Sequence, residues 1–260
     1  MPYSIFGLPI AGGGISAALT AIERLLGTGG RHLVVTANPE ILTYARLHPA
    51  YWNILRNADL LVPDGTGVIL ASWLSPDPLR GGRVTGVDLT IALAKIAKRD
   101  NLSILIVGQS ESIMKKATHK IGLLSHNNTI KYAVGPLFSN TDAFPLASKA
   151  NELLINLIAA NKPHILLVGF GHPKQEMWLG HYLSSLPTCI GIGVGGTFDY
   201  LADLSSRAPA WVRSVGFEWL WRLFMEPRRL PRIVTAVVYF PILIIWDFLN
   251  KLFHVEQAGK

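Results

Sequence analysis

The sequence predicts an α/β fold, a mostly parallel, Rossmann-like sheet with helices on both faces, followed by a helical C-terminal appendage. Three observations lead there. Apolar runs of strand length alternate with helical patterns from His32 to Ser184 and beyond. Those runs are continuously apolar, as strands covered on both faces are. After about Leu204 the composition shifts to a segment dense in tryptophan and arginine, which hands over to an apolar tail. The reading is therefore two units, an α/β domain over residues 1–204 and a basic, apolar appendage over 205–260.

The apolar runs of strand length are HLVVTA (His32–Ala37), LLVP (Leu60–Pro63), SILIVG (Ser103–Gly108), TIKYAV (Thr129–Val134), HILLVGFG (His164–Gly171) and CIGIGVGG (Cys189–Gly196). Helical spacing of apolar residues places helices near Ser16–Leu26, Pro39–His48, Gly67–Trp73, Val87–Arg99, Ser110–Leu124, Pro145–Ala160 and Lys174–Ser184. In the appendage, Trp211–Phe224 is a further helix, which PRRLPR breaks. The last segment, Ile233–Trp246, has no charged residue but carries Pro241, so it reads as too short to span a bilayer and suited to lying in one leaflet.

Composition narrows the compartment and the partners. No run of about 18 apolar residues marks a spanning helix. The start, MPYSIFGLPI, lacks the basic-then-apolar pattern of a secretory signal. Cys189 is the single cysteine, which fits a reducing compartment, and cytoplasm is the expectation. The net charge is +7, and from Arg207 to Arg232 six arginines stand against two glutamates. Such a cluster suits phosphate groups, on nucleic acid, a nucleotide or anionic lipid. Interleaved Trp211, Trp219 and Trp221 point to lipid rather than to a merely solvated face.

In parallel sheets ligands gather outside the carboxyl ends of the strands. The residues there are polar and glycine-rich: TANPE (Thr36–Glu40), PDGTG (Pro63–Gly67), VGFGHPKQE (Val168–Glu176) and VGGTFDY (Val194–Tyr200). Asp64 in PDG reads either as a turn aspartate or as a carboxylate placed to accept a proton. VGFGHPKQE is neither GxGxxG nor a Walker loop. It does set Pro173 and Lys174 at a helix start, where free amides favour a phosphate, with Gln175 beside them. Arg83, in the glycine-rich loop Gly81–Asp88, is available to an anion. His172 and His181, nine apart, do not match zinc spacing, so no metal is expected.

Taken together, TANPEIL, LVPDGTGV, RVTGVDL, LLVGFGHPKQEMWL, GVGGTFDYLA and RAPAWVRSVGFEWLWRLFMEPRRLPR resemble the WecG/TagA/CpsF glycosyltransferases, from about residue 3 to 232. The resemblance implies an inverting enzyme without a metal or other cofactor. It would move a sugar from a UDP-sugar to polyprenyl-diphosphate-linked N-acetylglucosamine, peripherally at the inner face of the cytoplasmic membrane. It implies Asp64 as general base, and Thr36, Asn38, Arg83 and Gln175 in the sugar pocket. Gly169, Gly171, Gly195, Gly196, Asp199 and Tyr200 would surround UDP. Arg207, Arg213, Arg222, Arg228 and Arg229 are the candidates to meet a diphosphate or the membrane. The tail after Arg232 departs from the family's short basic ending, which suggests firmer membrane attachment.

UDP-N-acetylmannosamine is the expected donor, with the uronate or a neutral hexose as alternatives. Two other classes compete. A nicotinamide-dependent oxidoreductase lacks its glycine fingerprint here. A non-catalytic membrane- or nucleic-acid-binding protein would leave the motifs at the strand ends without a purpose, so no nucleic-acid partner is expected. The apolar tail could meet lipid or a second subunit, which leaves homo-oligomerisation open.

Overall fold

The computed structural model describes residues 3–127, 129–138, 148–202, 208–209, 211–212 and 216–258. A short antiparallel hairpin, β1 (Ser4–Ile5) and β2 (Leu8–Pro9), precedes α1 (Gly14–Thr28). The chain then runs β3 (His32–Ala37), α2 (Pro39–Leu47), α3 (Pro49–Arg56), β4 (Leu60–Pro63), α4 (Thr66–Ser72), α5 (Gly86–Arg99), β5 (Ile104–Gly108) and α6 (Glu111–Ser125). It continues with β6 (Lys131–Val134), α7 (Lys149–Asn161), β7 (Ile165–Val168), α8 (Lys174–Tyr182), β8 (Ile190–Gly193) and α9 (Thr197–Leu201). The C-terminal segment adds α10 (Glu218–Met225), α11 (Leu230–Val234) and α12 (Phe240–Ala258).

Strands β3 to β8 form one six-stranded sheet in the order β4-β3-β8-β7-β5-β6, every pair parallel. All six predicted strands are in it. Alternate residues face opposite layers. On β3, Leu33, Val35 and Ala37 join a core with α2, α3, α8 and α12, while Val34 joins the core with α1, α5 and α6. Two buried faces explain why these strands read as unbroken apolar runs rather than as alternating ones.

Helix α3 was not predicted, and one proline reading needs correction. His48-Pro49 looks like the end of one helix, yet it also begins the next, because Pro49 occupies the first turn of α3 where no N–H is needed. The tail is also not cut short by Pro241. A π turn over Thr235–Tyr239, in which the Phe240 N–H reaches Thr235 O, absorbs the proline and lets the helix continue. The result is helical over Pro227–Asn250, 24 residues that include an 18-residue stretch of mean hydropathy 1.9, long and apolar enough by length and composition to cross a membrane.

One side of that helix packs on the domain. Ile233, Phe240 and Ile244 are buried, and Phe240 meets Phe6 edge-on at 6.2 Å between centroids. The opposite side carries Ile242, Ile245, Trp246 and Leu249, spaced i, i+3, i+4, i+7, and all are exposed. Beside it, α4 adds exposed Leu70 and Trp73. The domain boundary read at residue 204 falls outside the described residues.

Candidate active site

The carboxyl ends of the strands open into one cavity of about 730 Å³. The turns singled out in the sequence form much of its wall: Thr36 and Asn38 after β3, Asp64 to Gly67 after β4, Gly169 to His172 after β7, and Val194 to Gly196 after β8. Gly108 and Gln109 after β5 also line it. The remaining wall comes from the C-terminal segment, with Phe217, Glu218, Arg229, Arg232, Val237 and Pro241 among its residues.

Asp64 owes its place to a turn. Its N–H donates to Ala37 O at 2.8 Å, extending the β3–β4 pairing past the strand. Gly65 follows at φ 99°, a backbone that a side chain would strain, and the chain turns into α4. Asp64 is left partly buried on the cavity wall. Its neighbours hold the frame. The buried Thr36 hydroxyl donates to Gly193 O at 3.0 Å, tying β3 to β8. Asn38 Oδ1 accepts the Ile41 N–H at 3.0 Å and caps α2.

Gln175 lines the cavity too, but both ends of its amide act within the protein. Oε1 accepts the Gly195 N–H at 2.9 Å, and Nε2 donates to Glu176 Oε1 at 2.6 Å. Gly169, Gly171, Gly195, Gly196, Asp199 and Tyr200 all line the cavity. Pro173 and Lys174 do not, and Lys174 Nζ donates to Phe138 O at 3.2 Å. Of that helix start, Gln175 rather than Pro173 or Lys174 lines the cavity.

The cavity-lining arginines are held by carboxylates. Arg83 meets Glu218 of α10 at 2.9 Å, Arg229 meets Glu226 at 2.6 Å, and Arg232 meets Glu40 of α2 at 2.7 Å. The first and third of these pairs join the C-terminal segment to the α/β domain across the cavity. Arg228 is exposed and off the cavity. Arg207 and Arg213 lie outside the described residues, as does the side chain of Arg222. Arg232 is the arginine that sequence reasoning left out. It ends the same PRRLPR run, and nothing local ties it to Glu40, 192 positions away.

Among the described residues, four carboxylates line the cavity: Asp64, Asp199, Glu40 and Glu218. The last two neutralise arginines. First-turn residues of α2, α4, α5 and α9 also line it, so the positive ends of these helix dipoles border the same space. Such a site can hold an anion beside a carboxylate able to accept a proton.

Behind the wall lies a buried polar chain that the sequence did not announce. Tyr51 Oη donates to Glu176 Oε2 at 3.0 Å and lies 3.1 Å from His172 Nδ1. Burial pushes the Glu176 carboxyl up to about 7. It also raises Tyr51 well above the usual phenol range and, with Arg232 and His48 nearby, lowers His172 to about 3.

The family model described as "Glycosyl transferase WecG/TagA/CpsF family" matches residues 3–253, well beyond the point at which the motifs end. Among curated proteins, similar sequences include the N-acetylglucosaminyldiphosphoundecaprenol N-acetyl-beta-D-mannosaminyltransferases of Staphylococcus aureus strains MW2 and NCTC 8325 / PS 47. Each is 29% identical over 206 residues, covering 79% of this chain and 77% of the relative.

Proposed function

The chain belongs to the WecG/TagA/CpsF glycosyltransferase family, and from that premise we propose that it transfers N-acetylmannosamine from UDP-N-acetylmannosamine to polyprenyl-diphosphate-linked N-acetylglucosamine. The setting would be teichoic-acid or related cell-surface polysaccharide synthesis at the inner face of the cytoplasmic membrane. The observation that carries the reading is one cavity lined by a carboxylate, arginines and several helix starts, with an exposed apolar helix beside it. The relatives' names supply the acceptor and the sugar.

The reaction is a direct displacement. Asp64 takes the proton of an acceptor hydroxyl as its oxygen bonds to the donor's anomeric carbon. The bond from that carbon to UDP breaks, and its electron pair leaves with the diphosphate. In this reading the charge growing there meets Arg83, Arg229 and Arg232, each shared with a carboxylate, together with the positive ends of the helices that border the cavity, and a metal is not called for. The stripe Ile242, Ile245, Trp246 and Leu249 rests in the lipid interface and brings the acceptor's diphosphate level with the cavity. Arg83–Glu218 and Arg232–Glu40 keep the C-terminal segment in place as part of the wall.

Asp64→Asn tests the assignment. Losing a positioned base costs roughly 10²–10⁴ in rate, and UDP binding should be unchanged. Transfer at the wild-type rate by this variant would remove Asp64 from the role of base.

A further inference from the structure

Glu176 has no part in the displacement just described, yet it is fully buried and its carboxylate is doubly bonded. It stands in the first turn of α8. Oε1 accepts from Gln175 Nε2, and Oε2 accepts from Tyr51 on α3. Gln175 Oε1 in turn accepts the N–H of Gly195, in the turn after β8. A carboxyl group out of reach of water thus holds a primary amide, and that amide holds the turn.

The hold is directional. The two ends of an amide side chain are alike in size but opposite in hydrogen-bonding role. With an acceptor, Glu176, on one side and a donor, the Gly195 N–H, on the other, only one orientation satisfies both. Without the acceptor, Nε2 is left unsatisfied. A flipped amide would set two N–H donors against each other at Gly195. The sheet itself is shaped to this pair. A Cβ on Gly193 would lie 2.8 Å from both Gln175 Nε2 and Glu176 Oε1, so β8 carries a glycine where the two side chains cross it.

The geometry points to Glu176 as a positioning residue that, through Gln175, presets the Gly195–Gly196 turn for the diphosphate of the nucleotide-sugar donor. The inference rests on reading that turn as part of the donor site. Glu176 touches no substrate; it acts through the amide. Its carboxyl serves in either protonation state. When ionised it accepts from Tyr51. When protonated it donates to Tyr51, whose hydroxyl then turns to His172 Nδ1.

Two variants test it. Glu176→Met fills the same space without an acceptor, and Glu176→Gln restores an acceptor for Gln175 and a donor for Tyr51. In Glu176→Met the UDP dissociation constant and the donor KM should rise about tenfold, the effect of one lost hydrogen bond. The acceptor KM should stay at its wild-type value. Glu176→Gln should bind UDP like the wild type. Wild-type UDP binding by Glu176→Met, or equal impairment of the two variants, would overturn the inference.

Amide exchange at Gly195, followed without ligand, separates this inference from the functional reading. Faster exchange in Glu176→Met than in Glu176→Gln supports the Glu176–Gln175–Gly195 link even in a protein that binds no UDP. Equal exchange refutes the link. Should Glu176→Met fail to fold, Tyr51→Phe loosens Glu176 while keeping it, and carries the same expectation at smaller size.

Discussion

Glu176 and His172 flank one tyrosine, and burial moves them in opposite directions. Glu176 rises from 4.5 to about 7, against hydrogen bonds from Gln175 and Tyr51 that favour the ionised form. His172 falls from 6.5 to about 3, with the charges of Arg232 and His48 adding to burial. Between pH 4.5 and 7 the folded protein keeps a proton on Glu176 that the unfolded chain has released. Glu176 therefore makes stability fall as pH rises through that window. Between pH 3 and 6.5 the unfolded chain carries a proton on His172 that the folded protein lacks, so His172 makes stability rise with pH. At about 1.4 kcal/mol per pH unit, the Glu176 effect is about 3 kcal/mol and the His172 effect about 5 kcal/mol. The two slopes cancel where they overlap. Glu176→Gln removes one of them, so the variant should gain about 3 kcal/mol on the wild type between pH 4.5 and 7. Urea unfolding at closely spaced pH values reads this difference, in which titrations common to both proteins drop out. A difference that stays flat across the window refutes the buried, protonatable Glu176.

Three further outcomes follow from the same geometry. Exchanging the partners of one ion pair, Arg83→Glu with Glu218→Arg, should restore docking of α10 but not transfer, because the arginine is also needed for the diphosphate; melting temperature and kcat/KM separate the two, and full recovery of activity would reduce Arg83 to a docking residue. Ile242→Ser with Trp246→Ser should abolish flotation on anionic vesicles while the melting temperature holds, since both side chains are exposed; unchanged flotation would remove the stripe from membrane binding. Transfer should persist in excess EDTA, because arginines and the positive ends of helices meet the leaving charge; loss of activity restored by a divalent cation would contradict that division.

What was legible in the sequence is what is local. The strands showed as apolar runs, and the turns after them carried glycines, Asp64, Thr36 and Asn38 because a strand-to-helix turn needs such residues whatever lies far away. Proline misled at Pro241 and gave no warning at Pro49. Pro49 begins a helix that was not predicted, and Pro241 sits in a helix that a π turn keeps whole. The buried chain behind the cavity was illegible for another reason. Tyr51 and Glu176 are 125 positions apart, and only the packing of α3 against α8 brings them together. Gln175, which the resemblance puts in the sugar pocket, does line the cavity. Its bond to Gly195, 20 positions on, is one that its sequence neighbourhood does not reveal.

The central claim is the transfer itself. Purified protein would be offered a panel of UDP-sugars, including N-acetylmannosamine, its uronate and neutral hexoses, with a short-chain polyprenyl-diphosphate-N-acetylglucosamine. Products would be identified by mass. The account predicts a lipid-linked disaccharide with UDP-N-acetylmannosamine, absent when Asp64→Asn replaces the wild type. No product from any donor, or a product that forms equally well with Asp64→Asn, would contradict it.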